Sequence, residues 1–531
     1  MVLTLRKVLI SDEVDAKCIE VLKSNGIDVE KNTKLTKEQL VAEIPKYDGL
    51  IVRSATKVTA DVINAASNLR IIGRAGTGVD NIDCEAATKK GIIVMNTPGG
   101  NTLSAAEHTC AMVVSLSREV PLACQSMKEG RWDRKKFMGS ELNGKTLGII
   151  GLGRIGKEVA LRMQSFGMKT IGFDPIIPAE VAAEFNVEWM PLEKLWPQID
   201  YVTVHTPLIP QTTNLINDKV FGVCKKGVKI INCARGGIVD EAALLRALES
   251  GQCGGAGFDV FVQEPPTDLT LVKHPKMIAT PHLGANTSEA QKRVAVEIAE
   301  QFVDAVNGKS LFGALNAAAM ATALSPDTQP WVNLAQKLGK LAASVNSDIG
   351  KEITIIAKGP ELAKAGSYLS AAFLSGLLQN SSTGSGDQVV LNLVNAPALA
   401  KQMGITVKTE TKEVAHGAFK NAVCFRLGNG FCVSGTTSGS EALLLKIKGA
   451  QFSSPVCLSG SLLVFRGTGN SQLLPKVAGA LGSARISLEA VSTSSEENAA
   501  KWGVANLTNP AGGKGVQAIK DCVDFVTMVT V

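Results

Sequence analysis

The chain has no stretch of about 18 apolar residues, so no helix of membrane-spanning length is expected. It also has no run of about five or more basic residues, the usual mark of a nucleic-acid or membrane-surface segment. The net charge of +6 is mild for 531 residues, and the basic stretch Arg131 to Lys136 reads by itself as a solvated loop. The 11 cysteines contain no CxxC pair and no cysteine/histidine spacing suited to zinc, which leaves an odd, unpatterned set of reduced thiols and no metal site. Behind Arg6 and Lys7 there is no apolar core of signal-peptide length, so the expectation is a cytoplasmic (cytosolic) protein with no nucleic-acid or membrane partner. Histidine is scarce as well, with five in the chain, so each can be weighed singly.

With 45% hydrophobic and 20% charged residues the chain reads as globular, and its length suggests about three or four domains. Short apolar runs at 7–10, 49–52, 69–73 and 92–95 alternate with amphipathic segments at 13–24, 37–44 and 60–66, the pattern of a parallel sheet covered on both faces. Pro98-Gly99-Gly100 interrupts it, and a long apolar helix is predicted from Asn101 to Leu116. A second alternating block has strands at 146–150, 169–173, 201–205, 228–232, 255–259 and 277–279, which fits a doubly wound sheet. After Pro281 a helix over 288–307 is predicted to return to the first unit. That makes the first unit discontinuous, at 1–98 and 286–312, around a nucleotide-binding unit at 99–285. An α/β unit follows at 313–454, with its most linker-like piece at Ser381–Gly386. The last unit, 455–531, reads strand-helix-strand-strand-helix-strand, a ferredoxin-like order.

The fingerprint Gly151-Leu152-Gly153-Arg154-Ile155-Gly156 follows one strand and opens a helix, and Asp174 ends the next strand. Gly151 permits the tight turn, Gly153 lets a pyrophosphate approach the backbone, and Gly156 allows close helix–sheet packing. The helix N-terminus favours phosphate, and Asp174 would accept from ribose hydroxyls and repel a 2′-phosphate, so NAD is expected over NADP. Oxidising an alcohol also needs a base for its proton and a cation for a substrate anion. His282, in Ala279-Thr280-Pro281-His282, stands just past a strand's carboxyl end at the second crossing, where α/β sheets bind ligands. Glu264, before Pro265-Pro266, is its candidate partner, and a carboxylate there would fix the tautomer and raise the imidazole pKa. Arg235, ahead of Gly236-Gly237, offers a planar guanidinium for an α-hydroxy carboxylate.

With these residues and the segments Arg74 to Asn81, Lys136 to Gly139, Val204 to Pro207 and Asn232 to Asp240, the chain resembles the D-isomer-specific 2-hydroxyacid dehydrogenase family, most strongly over 49–309. The resemblance implies a Rossmann sheet inserted into a flavodoxin-like substrate unit, then an intervening α/β unit and an ACT-type regulatory unit. It implies His282 as acid/base, Glu264 as its partner and Arg235 on the substrate carboxylate. By the same resemblance Thr77, Arg154, Ile155, Asp174, Thr206, Cys233, Asp259 and Ala285 line the NAD site. Arg53, Arg74 and Gly76 meet the substrate, with Arg134, from a neighbouring subunit, as a third phosphate cation. The implied reaction is oxidation of 3-phospho-D-glycerate to 3-phosphohydroxypyruvate, the entry to serine synthesis, in a homo-oligomer (dimer or tetramer). A glyoxylate or hydroxypyruvate reductase and an NAD-sensing corepressor stand as alternatives on the same scaffold. The stretch Phe465 to Asn470 lacks the histidine and Pro-Gly turn of serine-sensing tails, so the tail is read as a packing and oligomer-forming unit.

Overall fold

The computed structural model describes residues 3–379, 390–413, 419–468, 472–496, 499–508 and 513–531. The linker-like 381–386, His416 and the pair Gly469-Asn470 lie outside the described residues. Strands β1 (Lys7–Ile10), β2 (Asp28–Lys31), β3 (Gly49–Val52), β4 (Ile71–Arg74) and β5 (Ile93–Asn96) form a parallel sheet in the order β2-β1-β3-β4-β5, the flavodoxin-like arrangement. Sequence periodicity missed β2 because it is an edge strand, Asp-Val-Glu-Lys, with no buried residue. The short helix Cys84–Lys90, between an Asp83 cap and left-handed Gly91, was missed as well.

The second sheet contains β6 (Thr146–Ile150), β7 (Lys169–Phe173), β8 (Glu188–Trp189), β9 (Tyr201–Val204), β10 (Val228–Asn232), β11 (Cys253–Phe258) and β12 (Met277–Ala279). Its order, β12-β11-β10-β9-β6-β7-β8, is all parallel, and the direction of winding reverses between β6 and β9. Such a reversal leaves a crevice at the carboxyl ends of the strands. The two-residue β8 is the strand that the sequence did not announce.

The chain enters and leaves this sheet at adjacent points. Ser104, at the start of the helix Thr102–Arg118, shares a 2.7 Å hydrogen bond with Thr287, which caps the helix Ser288–Val306. Arg293 Nε donates to Gly100 O at 3.0 Å. The helix Ser288–Val306 then packs on the first sheet, as its periodicity predicts. Phe302 is fully buried over Gly49 and Gly73, and a Cβ added at Gly73 would lie 2.5 Å from its ring. The chain stays on that sheet beyond 312: Ala314 bridges Met95, and Asn316 exchanges hydrogen bonds with Val94, Ile92 and Thr88. The expected boundary at 312 therefore falls short of the contacts it should enclose.

The remaining residues add β13 (Glu352–Lys358), β14 (Thr406–Lys412), β15 (Ala422–Leu427), β16 (Cys432–Ser438), β17 (Glu441–Ile447) and β18 (Ala450–Cys457) in the order β14-β13-β15-β16-β17-β18. The expected boundary at 454/455 would cut β18, which runs to Cys457, so it moves to the turn at 458–460. Last come β19 (Ser461–Thr468), β20 (Leu488–Thr493), β21 (Ala500–Leu507) and β22 (Phe525–Thr530), antiparallel in the order β20-β21-β19-β22, which is the ferredoxin-like arrangement. One hydrophobic cluster runs from the first sheet through the helix Gln329–Val345 to β19 and β21, so the tail packs on the body of the protein.

Phe302→Ala should open a cavity under the first sheet. Denaturant unfolding should show a loss of about 3–5 kcal/mol, the usual range for a fully buried phenylalanine.

Candidate active site

Three loops at the carboxyl ends of β4, β10 and β11 converge on one cleft. After β11, Asp259 is 1% exposed, and its carboxylate accepts from Thr280 Oγ1 (2.6 Å), Leu283 N (2.7 Å) and Gly284 N (2.8 Å). His108 Nε2 approaches the same carboxylate at 3.2 Å from the helix Thr102–Arg118. Burial alone would raise the Asp259 pKa, but these hydrogen bonds outweigh it and hold the group below the usual carboxylate range. The Asp259 carbonyl also accepts the backbone N–H of His282 at 2.9 Å, and His282 takes a left-handed φ of +56°. Asp259 was expected to line the NAD site. Its carboxylate is committed to the loop that presents His282.

His282 Nδ1 meets Glu264 Oε2 at 2.7 Å, and the other carboxylate oxygen of Glu264 accepts from Phe261 N at 3.0 Å. The Glu264 hydrogen bond raises the His282 pKa above its ordinary 6.5, outweighing burial and the nearby Arg235 cation. Burial opposes ionisation of Glu264, yet His282 and the Phe261 N–H bring its pKa down. The pair is open to solvent, with the His282 side chain 48% exposed. A proton can therefore reach and leave the imidazole.

Arg235 follows β10, where Asn232 holds the turn by donating to Arg235 O and accepting from Ala234 N. Its Nε donates to Asp80 Oδ2 at 2.9 Å and its Nη1 to Ala234 O at 2.6 Å. Asp80 belongs to the first sheet's loop, so this ion pair spans the cleft. Arg53 and Arg74 stand at the ends of β3 and β4, each with a buried Nε that has no hydrogen-bond partner among the described residues. Burial pushes Arg74 down to about 10, with Arg235 and Arg53 contributing in the same direction as neighbouring cations. The three guanidinium groups form one cationic cluster, with Gly76 packed against Arg74.

At the switch point Gly151 has φ +96°, and an added Cβ there would lie 2.6 Å from His205 O. Gly156 lies directly against Gly151 O, whereas beside Gly153 there is open space. The helix Arg154–Gln164 starts from Gly153 with no side-chain cap, leaving its first N–H groups to face an anion. Asp174 accepts from Leu152 N, Ile176 N and Ile177 N, which ties the fingerprint to the end of β7. Thr206 has a buried hydroxyl without a partner among the described residues. Across the cleft Thr77 donates to Asn101 at 2.5 Å. Arg154 reaches Pro98 O, and Ala285 O accepts from Gln291. Cys233, its thiol raised to about 12 by burial, is a packing residue rather than a nucleophile. A small open space, an uncapped helix and an orphaned hydroxyl fit a dinucleotide.

Arg134 does not enter this chain's cleft. Ser140 on its loop bonds Tyr201 OH and its carbonyl accepts from Ser117 Oγ, which places the loop at the amino ends of β9 and β10, a strand length of roughly 15 Å from the catalytic loops. Sequence reasoning gave no role to Asp80 or His108. Asp80 sat inside a quoted motif, and His108 inside an apolar helix that concealed its orientation.

The comparisons agree with this geometry. Residues 110–284 match the family "D-isomer specific 2-hydroxyacid dehydrogenase, NAD binding domain", and residues 327–446 match the "D-3-phosphoglycerate dehydrogenase intervening domain". D-lactate dehydrogenase from Aquifex aeolicus, solved with NAD and lactic acid, superimposes with a TM-score of 0.52 at 28% identity over 58% of this chain and 99% of that one. The D-3-phosphoglycerate dehydrogenases of Sus scrofa and Homo sapiens are each 52% identical over 512 residues, 95% of both chains. With half its residues and nearly all its length shared with such enzymes, the chain belongs to the D-3-phosphoglycerate dehydrogenases.

Proposed function

We propose that the cleft oxidises 3-phospho-D-glycerate to 3-phosphohydroxypyruvate, the first step of phosphorylated serine synthesis, with His282 as the acid/base. The observation that carries this reading is the 2.7 Å His282–Glu264 pair beside a cluster of three arginines. With Nδ1 hydrogen-bonded to Glu264, the lone pair of neutral His282 is at Nε2, which takes the C2 hydroxyl proton. Arg235 holds the C1 carboxylate and polarises the developing carbonyl, while Arg53 and Arg74 supply the charge that a phosphate requires. NAD, when bound at Gly151–Gly156, Asp174 and Thr206, supplies the acceptor for the C2 hydride. As Glu264 stays ionised, the imidazolium formed on His282 is held until its proton leaves to solvent.

Oligomerisation and cytosolic residence belong to the same reading. Among the described residues no helix is long and apolar enough to cross a membrane. Trp132 and Met138 flank Arg134 and are 78% and 85% exposed, apolar area that a second copy of this chain would cover while bringing Arg134 to its neighbour's cleft.

His282→Ala should lower turnover by about 10²–10⁴-fold while leaving NAD affinity unchanged, and near-normal turnover would sink the assignment. In the unmodified enzyme the oxidation rate should rise with pH through a midpoint above 6.5, because the neutral imidazole is the active form. Glu264→Gln should move that midpoint down and reduce the maximum. Arg74→Ala should raise KM for 3-phosphoglycerate by roughly 10–100-fold without altering the weak rate on glycerate, as expected for loss of a charged hydrogen bond; an equal effect on both substrates would remove Arg74 from the phosphate. In a cytosolic extract the chain should sediment as a dimer or tetramer, and Trp132→Glu should shift it to monomer.

A further inference from the structure

Two cysteines outside the cleft have no part in this chemistry. Cys424 is on β15 and Cys432 on β16, and the strands pair antiparallel with Cys424 opposite Ser434 and Arg426 opposite Cys432. The two cysteines are therefore diagonal neighbours on one face, close to the four-residue turn that joins the strands. On that face Ser434 lies directly opposite Cys424 and two residues from Cys432. Both are partly accessible, because Val423, Phe425 and Val433 occupy the opposite, buried face.

The charges around this pair favour a thiolate at Cys424. The neighbouring Cys432 thiol does most to bring its pKa below the ordinary thiol range, against burial, and Ser434, Arg426 and Lys358 act in the same sense. Other cysteines also neighbour one another, but burial raises Cys224 to about 12 and Cys253 to about 11, and likewise Cys233 to about 12 and Cys110 to about 11. Those thiols stay protonated and inert. Cys124 is exposed but has no thiol partner among the described residues.

We propose that Cys424 and Cys432 form a peroxide-responsive dithiol, a modification site on the outer face of the third sheet. The Cys424 thiolate attacks one oxygen of hydrogen peroxide, breaking the O–O bond; sulfenic acid forms and hydroxide leaves as water with one proton. The Cys432 sulfur then attacks the sulfenic sulfur, expelling a second water and closing the disulfide. In sum, two thiols and one peroxide give one disulfide and two waters. The bond links two strands that already pair, in a sheet that carries none of the cleft's residues.

The test treats the full chain with stoichiometric hydrogen peroxide at neutral pH, blocks free thiols with N-ethylmaleimide and maps the peptides. The expected result is a peptide linked through Cys424 and Cys432, lighter by two hydrogens, that accumulates before Cys124 is oxidised. Cys432→Ser should leave a sulfenic acid at Cys424 that dimedone traps, with turnover on 3-phosphoglycerate unchanged as the check on folding. Cysteines 424 and 432 both still alkylated when Cys124 has been oxidised would overturn the proposal. The measurement on the unmodified chain decides the matter even if a variant fails to fold.

Discussion

The catalytic geometry depends on one buried carboxylate. Asp259 gathers four donors from two elements, the loop 280–284 and the helix that carries His108, and its backbone carbonyl secures the N–H of His282. That arrangement imposes the left-handed backbone at His282, which costs on the order of 1–3 kcal/mol for a residue other than glycine. In return the imidazole is aimed before any substrate arrives. Removing the Asp259 carboxylate would leave several buried donors without partners, so the loop, and the base with it, could not hold their position.

Across the cleft the constraint is electrostatic. Arg53 and Arg235 stand close enough to disfavour the charge of Arg74, and Asp80 and Asp12 offset them. Two buried guanidinium nitrogens without partners among the described residues are costly to maintain and are retained where an anion will satisfy them. The flavodoxin-like sheet contributes Arg53 and Arg74, the Rossmann sheet Arg235. The site is completed only when both units present their loops together, which the adjacent crossings at Ser104 and Thr287 ensure.

Much of this was legible in the sequence. Buried parallel strands such as Gly49–Val52 and Thr146–Ile150 are continuous apolar runs, and periodicity located them to the residue. The edge strands Asp28–Lys31 and Glu188–Trp189 were not, because one flank of each faces solvent and the pattern fades. His282, Glu264 and Arg235 were nominated from their places at strand ends, and the structure does bring them into one cleft. Arg134 illustrates the limit: its charge was readable, but the end of the sheet its loop packs against is a tertiary fact. The commitment of Asp259 was equally hidden, since it depends on a histidine about 150 residues earlier in the chain.

The Arg235–Asp80 pair has a consequence for ligand choice. An arriving carboxylate would take over a hydrogen bond that Asp80 already makes, so one anion is exchanged for another and little is gained at that end of the molecule. Selectivity must then come from the far end, where the Nε groups of Arg53 and Arg74 have no hydrogen-bond acceptor to give up among the described residues. The cleft discriminates by what it leaves unpaired, and a carboxylate on its own is the ligand it already carries.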